Sequence, residues 1–247
     1  MTGVFIFGRL RLMLNIFSCF SPTPPLLAEQ DKQRLTAWQL ITPSDVTQPM
    51  EQARYVVVDV ETSGLNLNRD RLIAIGAVAV KAGEIILNDS FEMVLQQQTA
   101  SSSDNILVHG IGGSTQTSAT PPQEALLHFL EYLGKAPLIA FHATFDETML
   151  CNAFRQFLGL KFQPPWLDLA YVLPGLYPDL PQKFHSLDEW LAYFAIPNYA
   201  RHNALSDALC TAQLFLIAQT SAQQSNIHHF RDLQNLEKIQ RWLKRAT

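Results

Sequence analysis

Tyr55-Val56-Val57-Val58-Asp59-Val60-Glu61-Thr62-Ser63-Gly64-Leu65 is the stretch on which the reading of this chain turns. Tyr55 to Val60 is a β-branched run, apolar on both faces, which is the pattern of a strand buried at the centre of a sheet. Asp59 and Glu61 stand two apart at its end, and the alternation of a strand puts both carboxylates on one face. Two anions held so close repel unless a cation lies between them. Taken alone, the pair reads first as polar residues where a strand leaves its sheet. The glycine turn that follows, Thr62-Ser63-Gly64-Leu65, adds weight because it feeds a second buried run.

Leu72 to Val80 is that second run. Ala82-Gly83 is a turn, and Glu84 to Leu95 reads as a third, more polar strand, so the spacing predicts an antiparallel three-strand meander. Ser101 to Asp104 and Gly110 to Ser118 read as loops. Thr120-Pro121-Pro122-Gln123 is a helix start with proline in the first turn, and this helix runs to Gly134. Pro137 to Phe141 is a short strand. Thr144-Phe145-Asp146-Glu147 has the form of a capping box, opening a helix that ends at Gly159. Leu167 to Leu176, Ser186 to Phe194 and Asn203 to Gln219 read as further helices, the middle one opened by a second capping box, Ser186-Leu187-Asp188-Glu189. Strands first, then strands alternating with helices, predict an α/β fold with a mixed sheet flanked by helices.

Upstream, Ser21-Pro22-Thr23-Pro24-Pro25 is a breaker, and a helical segment from Asp31 to Ile41 is stopped by Pro43 and Pro49. The domain proper is expected over residues 51–220, behind an extension at 1–50 and ahead of a C-terminal segment at 221–247. There Leu233, Leu236, Ile239 and Leu243 recur at helical spacing, predicting an amphipathic helix docked on the domain or on a partner. Val4 to Phe7 and Leu12 to Phe20 are apolar but shorter than the roughly 18 residues that span a bilayer, so no membrane span is expected. A signal peptide is disfavoured by Asn15, Ser18 and the lack of a small-x-small site. The run reads as an apolar arm packed on the domain, or as residues upstream of the true start, with Met13 as alternative initiator.

The chain of 247 residues is 47% hydrophobic, enough for a full core. Its 18 Lys+Arg against 22 Asp+Glu give a formal charge of −4, so no bulk positive field attracts nucleic acid. Any such contact is local or carried by metal ions. Cys19, Cys151 and Cys210 show no CxxC spacing, which excludes a disulfide framework or zinc site and predicts reduced thiols in a cytoplasmic protein.

Asp59 to Val80 resembles the first motif of the DEDD exonucleases, the DnaQ-like, RNase H-like superfamily of the proofreading ε subunit of bacterial replicative polymerase. Ala140-Phe141-His142-Ala143-Thr144-Phe145-Asp146 is similar to their second motif, which supplies an aspartate from a helix start. On its own, Asp146 reads equally as an acid complementing the helix dipole. Arg201-His202-Asn203-Ala204-Leu205-Ser206-Asp207-Ala208 matches the His-x4-Asp pattern of the DEDDh branch; the other branch carries tyrosine at the position of Asn203. The resemblance covers residues 54–219, and His109-Gly110-Ile111, Asp168-Leu169-Ala170 and His185-Ser186-Leu187-Asp188 agree with it. His142 departs from the asparagine of many members, and Ala74 from a frequent acidic residue.

The resemblance implies an RNase H-like fold and a 3′→5′ exonuclease that releases nucleoside 5′-monophosphates, from DNA before RNA. It implies two divalent cations, Mg²⁺ or Mn²⁺, which prefer hard oxygen ligands. Asp59, Glu61 and Asp207 would hold the nucleophile-side metal, Asp59 would bridge to the second, and Asp146 would act largely through water. His202 would be the general base, since imidazole titrates near neutral pH. Thr62, Gly64 and Leu65 match the turn set against the terminal nucleotide, with a buried turn residue the alternative for Leu65. Arg54, Arg69, Arg71, Lys161, Lys183 and Arg201 are candidates for phosphate contact. Two rivals stay open: an RNA 3′-trimming enzyme or oligoribonuclease, and a non-catalytic module whose termini dock on a polymerase or another protein.

Overall fold

Tyr55 to Val58 are at most 1% exposed, and their strand lies in the middle of the sheet, as an apolar pattern on both faces requires. The computed structural model describes residues 25–180 and 184–246; the apolar arm, Cys19 and Lys183 lie outside them. In chain order the elements are α1 (Glu29–Leu40), a 3₁₀ turn (Met50–Gln52), β1 (Arg54–Thr62), β2 (Leu72–Lys81), β3 (Glu84–Val94), α2 (Ser103–His109), α3 (Gly113–Ser118), α4 (Pro122–Leu133), β4 (Leu138–Ala140), α5 (Thr144–Leu158), β5 (Trp166–Asp168), α6 (Leu169–Leu176), α7 (Leu187–Tyr193), α8 (Ala204–Gln224) and α9 (Phe230–Ala246). Among the described residues the strand order is β3-β2-β1-β4-β5. The first three strands form the expected antiparallel meander, and β4 and β5 add in parallel on the other side of β1.

Alternation along β1 divides the core. Val56, Val58 and Val60 face one layer with Leu126, Phe129 and Leu130 of α4 and Leu150 and Phe154 of α5. Tyr55 and Val57 face the other, with Leu169 of α6, Trp190 of α7, Phe215 of α8 and Phe230 of α9. Each layer removes several large side chains from water, at about 1.5–3 kcal/mol for each fully buried one. The sheet is thereby covered on both faces. Among the described residues no helix is long and apolar enough to cross a membrane.

Three local expectations need correction. The stretches read as loops contain α3 and the first two residues of α2. The α3 sequence is polar, and side-chain bonds tie it to α2: buried Gln116 donates to Ser101 Oγ and Ile111 O, and the amide of Ile111 donates to His109 Nδ1. Leu167 and Asp168 belong to β5 rather than to a helix, because Leu138 to Ala140 offer a strand edge that three residues are enough to pair. Thr144 does not cap α5. The residue ahead of that helix is Ala143, with no side-chain cap, and the chain enters through His142 at φ 62°. The C-terminal segment forms the amphipathic helix α9, docked on the domain through fully buried Leu233, with Ile239 54% exposed. The second capping box forms as expected, with Ser186 and Glu189 each accepting the other's backbone N–H.

Candidate active site

β1 delivers the first two carboxylates. Asp59 and Glu61 are partly buried and open to one face, while Val60 between them turns into the core. Asp207 comes from the first turn of α8 and is 1% exposed. Asp59, Glu61 and Asp207 each offer one oxygen within 4.8 Å of the others. The neighbouring strand makes room for this meeting. Gly76 of β2 is the cross-strand partner of Asp59. A Cβ there would stand 2.1 Å from the backbone N of Leu205 and 2.2 Å from the carbonyl carbon of Ala204. The bare glycine lets the start of α8 lie directly on the strand.

The turn before α8 then orients Asp207. Asn203 caps the helix by accepting from the amide of Ser206 at 2.9 Å. Asp207 Oδ1 accepts from Asn198 Nδ2 at 2.6 Å, and Oδ2 accepts from the backbone N–H of His202 at 3.0 Å. The Arg201 guanidinium also donates to Oδ2, while its Nε donates to Asp188 Oδ1 at 2.6 Å. His202 is exposed on this turn with φ 64°, a left-handed conformation.

Asp146 sits beside the trio, in the first turn of α5, and is 4% exposed. Burial foremost, then the negative charges of Asp168 and Glu61, hold its carboxyl well above the usual carboxylate range; its own backbone N–H and that of Val60 act the other way. Asp59 is likewise raised, by burial first and then by Asp146, Asp207 and Glu61, with Arg201 opposing. Glu61 is pushed up to about 8 by burial and by Asp207, again against Arg201. These carboxyls are therefore strained as anions in one another's presence. Converging oxygen donors that repel one another fit a hard divalent cation.

The turn after β1 is built by its own residues. Thr62 is buried, and its hydroxyl donates to the carbonyl of Gly64 at 2.7 Å. A Cβ on Gly64 would stand 2.4 Å from Asp70 Oδ2, the oxygen that accepts from the amide of Asn66 at 2.8 Å. Leu65 is 86% exposed, so the buried alternative does not hold for it. Of the basic candidates, Arg54 is engaged elsewhere, with Asp89 Oδ2 at 2.7 Å and under the ring of Tyr132. Arg71 donates to Thr99 O at 3.0 Å, Arg69 lies 3.8 Å from Asp70, Lys161 is exposed, and only Arg201 reaches the acidic cluster through a described contact.

Residues 56–215 match the exonuclease family of RNase T. The chain belongs to this exonuclease family. It is 33% identical over 176 residues to DNA polymerase III PolC-type of Caldanaerobacter subterraneus subsp. tengcongensis, covering 71% of this chain and 12% of that protein. Against the Bacillus subtilis protein of the same name it is 32% identical over 185 residues, covering 74% of this chain and 13% of the other. It thus spans only about an eighth of the length of these relatives. E. coli exonuclease I in complex with a dT13 oligonucleotide shares the fold, with TM-score 0.60 and 15% identity over 70% of this chain and 42% of that one. Exonuclease X in complex with 5′ overhanging duplex DNA aligns with TM-score 0.52 and 19% identity, over 68% of this chain and 93% of that one.

The chain thus builds a carboxylate cluster from β1 and α8. Sequence reasoning missed Asn198 and Gly76 as parts of it, and saw Asp168 only as an agreeing detail. A glycine inside an otherwise β-branched strand was the available signal for Gly76, since such a residue often marks a close backbone approach. Asn198 carried none, because it meets Asp207 across a turn with no regular period.

Proposed function

We propose that this chain is a two-metal 3′→5′ exonuclease acting on DNA ends and releasing nucleoside 5′-monophosphates. The observation that carries the reading is the meeting of Asp59, Glu61 and Asp207 within 4.8 Å, with Asp146 alongside. Asp59, Glu61 and Asp207 would hold one divalent cation, Mg²⁺ or Mn²⁺, and Asp59 with Asp146 a second. When bound, such a pair offsets charge on the phosphodiester and activates water. The chain supplies the rest. His202, on the exposed turn ahead of α8, accepts the proton of the attacking water at an imidazole nitrogen. Leu65 presents an apolar surface to the terminal nucleotide, on a turn whose shape Thr62 and Gly64 fix. The DNA named with the solved relatives supports DNA as substrate, and the PolC-type relatives support a link to replication or repair.

The test is digestion of end-labelled single-stranded DNA, duplex DNA, mismatched primer and RNA, with Mg²⁺, Mn²⁺ or excess EDTA. Mononucleotides should leave free DNA 3′ ends only with a divalent cation present. Full activity in EDTA, cleavage of a closed circle, or a clear preference for RNA overturns the reading.

A further inference from the structure

Helix α9 lies beyond the family match at residues 56–215, yet it is wired to the acidic site. It is anchored by Leu233, which is fully buried, and by Gln234 Nε2, which donates to the carbonyl of Trp166 on β5 at 3.0 Å. Gly175 of α6 lets it come close, since a Cβ there would stand 2.8 Å from Leu236 Cδ1. From that position Arg241 Nη2 donates to Asp168 Oδ2 at 2.8 Å and its Nε donates to Glu237 Oε1 at 2.7 Å. Glu237 Oε2 accepts from the backbone N–H of Asp168 at 3.1 Å, and the guanidinium stacks 4.1 Å from the ring centre of Tyr171.

Asp168 is 1% exposed, and its other oxygen, Oδ1, accepts from the backbone N–H groups of His142 at 2.9 Å and Ala170 at 3.1 Å. His142 is the left-handed residue through which the chain enters α5, and its carbonyl accepts from the amide of Phe145 at 3.0 Å. Phe145 precedes Asp146. A buried carboxylate that loses its cationic partner is a large penalty, and a left-handed non-glycine residue persists only where its surroundings hold it. Arg241 relieves the first of these conditions and Asp168 the second. The charges of Arg241 and Glu237 also reach Glu147, in the same first turn of α5.

We infer that Arg241 is a positioning residue for the acidic site: by fixing Asp168 it sets the turn at His142 and through it the place of Asp146. The metal part of this inference rests on the function proposed above. Three full-length variants test it. Arg241→Gln cannot carry the charge, Arg241→Lys keeps the charge without the paired donors, and Trp38→Ala weakens the packing of α1 at the end of α4, away from α9. In metal-free protein, Arg241→Gln should speed amide exchange at His142 and Ala170 by tenfold or more, relative to amides of β1. In a Mn²⁺ titration followed by electron paramagnetic resonance, it should weaken binding by about 10–100-fold, the range for partners one shell out from a metal. Arg241→Lys should recover part of both effects. Trp38→Ala should lower the melting temperature and leave both readouts near wild type. Unchanged His142 exchange in Arg241→Gln, faster exchange with wild-type Mn²⁺ affinity, or the same two effects in Trp38→Ala overturns the inference. A wild-type protein that binds no Mn²⁺ overturns the proposed function as well, so that control tells the two failures apart.

Discussion

Asp59 and Gly76 face each other across β1 and β2, and the bare Cα of Gly76 lies under the first turn of α8. One missing methyl group thus decides whether Asp207 can reach Asp59. Gly76→Ala should push α8 off the strand, because the obstructing atoms are backbone and cannot rotate away. We expect a loss of about 1–3 kcal/mol in urea unfolding, as for overpacked cores, together with weaker Mn²⁺ binding. Wild-type values for both would mean that α8 rides further from the sheet than 2.1 Å allows.

The first carboxylate pair and the meander were legible because one buried strand carries both signals: a two-faced apolar run fixes it in the sheet centre, and residues two apart share a face. Asp207 was legible through the His-x4-Asp spacing at a helix start. What could not be read was tertiary. Thr144 followed by Glu147 has the composition of a capping box, but the bond from His142 to Asp168, 26 residues away, places the helix start one residue earlier. Likewise α3 has weak helix propensity and stands on the bond of Gln116 to Ser101, 15 residues away, which no local pattern announces.

Cation binding should appear as stability. Ions that bind only the folded chain raise its stability by mass action, about 2.7 kcal/mol at a concentration 100 times Kd. Mg²⁺ or Mn²⁺ should therefore raise the melting temperature, and Asp59→Ala should abolish the shift. An equal shift in Asp59→Ala would show that the ions bind elsewhere.

The same carboxylates set a pH dependence whose sign is fixed. Glu61 titrates at about 8 in the folded chain, against about 4.3 for a free glutamate. Its folded value is the higher one, so stability from this group is fully present below the free value. That stability falls as pH rises, and the loss is complete above the folded value. Asp59 shifts in the same direction. Melting temperatures of EDTA-treated protein should fall between about pH 5 and pH 8, and saturating Mg²⁺ should flatten the slope while protons are released on binding. A metal-free profile that is flat or rising across this window would show that the carboxylates do not press on one another.

His202 and Asp207 are joined by the backbone N–H of His202, which donates to Asp207 Oδ2 at 3.0 Å, and this bond separates their roles in an experiment. Replacing the imidazole leaves that N–H in place, so the turn should keep Asp207 oriented and cation binding should stay near wild type. His202→Asn is the better variant, because asparagine tolerates the left-handed backbone at φ 64°; His202→Ala serves as a second. With the base gone, turnover at neutral pH should drop by about 10²–10⁴-fold, and the acidic limb of the pH profile should vanish or move. Part of the rate should return at higher pH, where solvent hydroxide is more abundant. Asp207→Ala should fail differently. It removes a ligand, leaves Asn198 Nδ2 and the His202 amide without their acceptor and takes one of the two carboxylates from Arg201, so metal affinity, stability and activity should fall together, with little rescue by pH. Near-wild-type turnover of both His202 variants across the pH range would reduce this motif to a helix start and withdraw His202 as the base.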